Sequence, residues 1–135
     1  MSMQQLPYGF GRQVDVPYAQ AVEKTRAALK EEGFGVICEI DVQKTVQEKL
    51  GAAFRPYVIL GACNPKLAHQ ALETDPNLGL LLPCNVVVYG VDGGAMVAAM
   101  DPAAVLGLVG DPRLAPIAQE VKERLQRAIA RIASG

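Results

Sequence analysis

A chain of 135 residues, half of them apolar, is long enough to bury one core without disulfides or a structural metal. Thirteen basic residues against fourteen acidic ones leave a formal net charge of −1. That balance offers no cationic excess to neutralise phosphates, and no nucleic-acid partner is expected.

The first twenty residues, MSMQQLPYGFGRQVDVPYAQ, carry neither the basic region nor the apolar run of a secretory signal. A short strand is expected at 8–14, weakened or bulged by its glycines. Pro17 then stands early in a helix whose stripe is Ala21, Val22, Thr25 and Leu29, and Gly33 is the stop signal. FGVICEIDV (34–42) alternates. Phe34, Val36, Cys38, Ile40 and Val42 share one face, and Ile37, Glu39 and Asp41 the other.

A second helix at 43–50 ends at Gly51, and PYVILGA (56–62) is a strand apolar on both faces. Asn64 and Pro65 form an N-cap and first-turn pair that opens a helix to Glu73. Asp75–Pro76–Asn77 punctuates, and two strands follow around the Asp92–Gly93–Gly94 hairpin turn. Asp101–Pro102 starts a short helix that ends near Gly110. Asp111–Pro112 starts the last one, striped by Leu114, Ile117, Ala118, Val121, Leu125, Ile129 and Ile132.

The order β-α-β-α-β-α-β-β-α-α predicts an α+β fold over residues 1–135: a single compact domain, a mixed β-sheet with packed helices. The hairpin forces at least one antiparallel pair, and the helical connections permit parallel ones. Apolar runs of strand length, rather than some twenty residues, predict no membrane span. Strands apolar on both faces need cover on both, from helices of the same chain on a monomer or from a second subunit, and a homodimer is predicted.

Three cysteines, an odd number with no CxxC, fit a reducing, cytoplasmic setting. Cys63 ends a strand just before the Asn64 cap, where unpaired helix amides and the helix dipole favour a thiolate. Its pKa is therefore expected to fall below the free value of about 8.5. Cys84 is a candidate partner, because strands flanking a helix are often neighbours, and a disulfide needs Cα atoms within about 7 Å. Cys38, between Val36 and Ile40, is expected in the core. Asn85 opens an apolar strand and needs a partner if buried. Glu39 and Asp41, two apart on one strand face, could act as an acid/base pair or form a solvated face. His69, the only histidine, falls on the polar face of its helix with Lys66, Gln70 and Glu73. A Cys/Cys/His metal site has no supporting spacing, so neither metal nor other cofactor is expected.

The segments ILGACNP and LLPCNVVVY, preceded by EIDV and followed by the closing helical region, resemble the bacterial and archaeal family known as domain of unknown function 302. The resemblance runs from about Tyr8 to Ile132, and its most specific part is Gly61 to Val88. It implies a compact α+β domain that assembles as a dimer. It marks Glu39, Asp41, Cys63, Asn64, Pro65, Pro83, Cys84 and Asn85 as motif residues, and it carries no activity. Three functions fit the residues. One is a module that binds a small molecule or responds to thiol redox state, with its site at Cys63, Asn64, Cys84, Asn85 and the Glu39/Asp41 face. Another is an enzyme with Cys63 as nucleophile. The third is a structural or interaction protein. A thiol nucleophile needs an adjacent base or cation, and without a partnered histidine the binding module is preferred.

Overall fold

A computed structural model describes residues 3–132. Strands β1 (Gln4–Leu6), β2 (Gly9–Val14), β3 (Gly35–Asp41), β4 (Tyr57–Cys63), β5 (Cys84–Val91) and β6 (Gly94–Met100) form one sheet, ordered β1-β2-β6-β5-β4-β3. Every pairing is antiparallel. Helices α2 (Val42–Leu50) and α3 (Pro65–Thr74) each join strands that are neighbours in the sheet, so they are inserted in antiparallel connections. Only α1 (Tyr18–Glu31) carries the chain across the sheet, from β2 to the far edge at β3. The domain is α+β, with an antiparallel sheet where a mixed one was expected. Strand β1 also precedes the expected first strand, pairing Gln4 with Gly11.

The helices α4 (Pro102–Gly107) and α5 (Ala115–Arg131) complete the fold, with 3-10 turns at Pro76–Leu81 and Pro112–Leu114. Strands β5 and β6 alternate cleanly. Val86, Val88, Ala95, Val97 and Ala99 are buried under α1 and α5, and their neighbours Val87, Tyr89, Met96 and Ala98 are half-buried on the opposite face. The α5 stripe supplies Leu125 and Ile129 to this core, each fully buried and each contributing about 1.5–3 kcal/mol. Arg12 of β2 donates through Nη1 to the carbonyls of Ile129, Ala130 and Ile132, satisfying acceptors that the end of α5 leaves open.

Two local devices shape the end of the molecule at the α1–β3 junction. Helix α1 ends in a Schellman motif: Phe34 N–H reaches Leu29 O (2.9 Å), Gly33 N–H reaches Lys30 O (3.1 Å), and Gly33 takes φ 86°. The turn drives Phe34 into the core. In β3 the register shifts between Val36 and Cys38, and this bulge breaks the expected alternation. Beyond it Cys38 faces Gly61, and Cys38 is exposed rather than buried. No helix among the described residues is long and apolar enough to cross a membrane.

Candidate functional site

Strand β4 ends where α3 begins, and the polypeptide turns there on Asn64. Its side-chain oxygen accepts from Leu67 N–H (3.2 Å), and Pro65 occupies the first turn, as the sequence predicts. The cap points Leu67 and Ala71 inward, both buried, and leaves Ala68 and Leu72 beside them partly accessible. Facing these side chains are Pro83 and Cys84 at the entrance of β5, Leu106 of α4, and Ile117 and Val121 of α5. Between them lies a cavity of about 260 Å³. Cys63 and Cys84 both line it, together with Asn64, Phe34 and Ile37, and its wall is almost wholly apolar.

Burial raises the Cys63 thiol pKa, the reverse of the expected shift. The apolar surroundings of the thiol disfavour its charged form. Cys84 is buried (6% exposed), and its pKa is pushed up to about 12, first by desolvation and then by Cys63. Both groups are neutral thiols at neutral pH. Cys84 pairs with Ala62, the residue before Cys63 on β4, and the two thiols meet at the same cavity. Both cysteines are free thiols.

The other candidate residues lie elsewhere. Glu39 sits on the helix face of the edge strand and pairs with Arg26 of α1. Asp41 is the N-cap of α2, accepting from Lys44 N–H at 2.9 Å. The two carboxylates thus serve packing and capping, and neither lines the cavity. Asn85 is exposed on the far side of the sheet, in a shallow groove with Tyr57, Tyr89 and Tyr8. It does not lace the two cysteine loops together. His69 is exposed, with Nε2 3.0 Å from Glu73.

Sequence reasoning brought together Cys63, Asn64 and Cys84. It missed the walls contributed by Phe34, Leu106 and Val121, which reach the cavity only through tertiary packing. Their sole signal was their place on the apolar stripe of a helix or just after its glycine stop, and any core residue shares that signal.

The family model described as "Domain of unknown function DUF302" matches residues 10–132. Among solved structures, the chain is similar to the crystal structure of "uncharacterized conserved protein DUF302 from Bacillus stearothermophilus". The match has a TM-score of 0.86 and 33% identity, covering 93% of this chain and 98% of that one. No match was found among curated proteins.

Proposed function

The chain belongs to the DUF302 family, and from that premise we propose that it is a cytoplasmic binding module for a small uncharged apolar molecule. The observation that carries this reading is the cavity of about 260 Å³ at the β4–α3 junction, walled by aliphatic groups and two neutral thiols. A dry cavity of about 150 Å³ holds benzene, so this volume suits a somewhat larger apolar group. Affinity would come from burying carbon, and selectivity from excluding charge, because the wall offers an ion almost no polar partner.

A thiol nucleophile fits this setting less well. Cys63 resists ionisation, and Glu39 and Asp41 are engaged with Arg26 and the α2 amides. A redox pair is disfavoured by the raised pKa of both thiols, because thiol–disulfide exchange runs through the thiolate. Three free thiols fit the reducing cytosol proposed here.

The test is calorimetric titration with a homologous series of straight-chain alcohols. Each added methylene contributes about 0.8 kcal/mol, close to fourfold in affinity, until the cavity is full, after which the gain stops. Ala71→Phe, which fills the cavity from α3, should abolish binding in a protein that still melts cooperatively. Absence of binding, or affinity that climbs without a cut-off and survives Ala71→Phe, would overturn the proposal.

A further inference from the structure

We propose that the half-exposed face of the sheet, the one opposite α1 and α5, is the contact surface for a second copy of this chain. Four observations carry this, and none depends on the ligand cavity.

The face is uncharged and predominantly apolar, with Gln4, Gln13 and Asn85 as its polar strand residues. Ile40, Ile59, Val87, Tyr89, Met96 and Ala98 lie across it, all half-buried or exposed. Among the described residues, no Asp, Glu, Lys or Arg occupies a strand position on this side, although a fifth of the chain is charged. Such a surface can meet its own copy without placing like charges opposite each other, as a two-fold interface requires.

Aromatic rings gather at one end of it. Tyr57 stacks on Tyr89 at 5.2 Å, Phe54 leans on Tyr57 at 6.0 Å, and the Arg55 guanidinium lies 5.8 Å from the Tyr89 ring. Aromatic side chains with arginine beside them are what interfaces concentrate.

The area is sufficient. Six strands about 4.8 Å apart, over about six residues of 3.3 Å each, project ~570 Å². Side-chain relief and the adjoining Phe54 loop raise this towards the ~800 Å² per partner of a standard interface.

Helix α2 also lacks cover. None of its nine residues is buried, Val42 and Val46 are only half-covered, and Leu50 is 76% exposed. A helix this short is marginal in water by itself, and its stability comes from packing an apolar side. It stands at the β3–β4 end of the same sheet, joined to the Phe54 loop by Gln43 Nε2 donating to Phe54 O (3.0 Å). A second copy seated on the face supplies what this end of the molecule lacks.

Light scattering of the unmodified chain, from low micromolar to submillimolar concentration, should give twice the 14.4 kDa chain mass. Val87→Glu puts a carboxylate at the middle of the face and should give the single-chain mass with helical circular dichroism intact. A second measurement needs no variant. Peroxide oxidation of Met96, followed by mass spectrometry, should slow several-fold once concentration passes the association midpoint. A single-chain mass at every concentration overturns the proposal and assigns the face to some other partner. A folded Val87→Glu variant that stays double overturns it as well. If that variant fails to fold, Met96 decides: equal oxidation rates in dilute and concentrated protein would place any dimer contact elsewhere.

Discussion

Asparagine and aspartate before proline recur at Asn64, Asp75, Asp101 and Asp111, and each opens a helical segment with its side chain accepting a backbone N–H. Proline fixes φ at a position whose N–H is free in any case, and the short side chain closes an amide that would otherwise be orphaned. That local logic is why the starts at Asn64, Asp101 and Asp111 were readable from residues alone, while Asp75–Pro76 read only as a break. Asn64→Ala should lower stability by about 1 kcal/mol in chemical denaturation. Asn85→Ala, at a site exposed in the single chain, should stay within about 0.5 kcal/mol in dilute protein, so the two Cys–Asn pairs should respond differently. The thiols follow a different rule. Position before a helix cap was visible in the sequence, but the apolar wall around Cys63 was not, and the wall sets the sign of the pKa shift. Alkylation of the folded, dilute and unassociated chain at neutral pH, read site by site, should therefore be fastest at exposed Cys38, slower at Cys63 and slowest at Cys84. The rate at Cys63 should climb only above the ordinary thiol range. A fast Cys63 at pH 7 would mean that the cavity wall is wetter than its composition indicates.

At the level of elements, α5 is held to the end of α1 by an ionic latch. Glu32 is 8% exposed and takes Arg127 Nε at 3.0 Å and Arg131 Nη2 at 2.5 Å, while Arg124 donates to its carbonyl at 3.1 Å. Burial alone would raise its pKa, but the bonds from Arg131 and Arg127 prevail, and the carboxyl lies below its ordinary 4.5. A depressed native pKa contributes stability above the unfolded value, and that contribution fades as pH falls below 4.5 and through the native value. Its cover is the two arginines, themselves 54% and 45% exposed, so solvent screens the pair more than its accessibility implies. Glu32→Gln should thus cost about 1–2 kcal/mol at pH 7, less than a core ion pair, and the gap to the parent should close in acid. Denaturation midpoints at several pH values check this, and a gap independent of pH would rule out a charge effect.

Helices and strands were mostly legible because the 3.6 and 2 periods survive in the sequence: α5 kept its stripe, and β5 and β6 their hairpin. Edge strand β3 was legible as a strand but its facing was not, since a bulge at Ile37 leaves no mark in composition yet moves Cys38 to the exposed side. The pairing of β2 with β6 is equally non-local, so strand order lay beyond pattern reading.

For the whole molecule, the open question in the sequence was what covers strands that are apolar on both sides. Helices α1 and α5 answer for one face only, and the uncovered one ties stability to concentration if a second copy binds it. Folded dimer in equilibrium with two unfolded chains gains about 1.4 kcal/mol per dimer for each tenfold rise in concentration. Unfolding entropy of about 2.1 cal/mol/K per residue, summed over two chains of 135 residues, converts this to a Tm rise of about 2–3 °C per decade. Calorimetric scans across two decades should resolve that slope. Val87→Glu should melt lower and show no slope, because the monomer unfolds alone. The Asn64→Ala chain should melt lower yet keep the slope, since its cap lies in the cavity wall and away from the face. A parent Tm that is flat over the same range would mean that each chain unfolds alone, with the neutral sheet face stable in water.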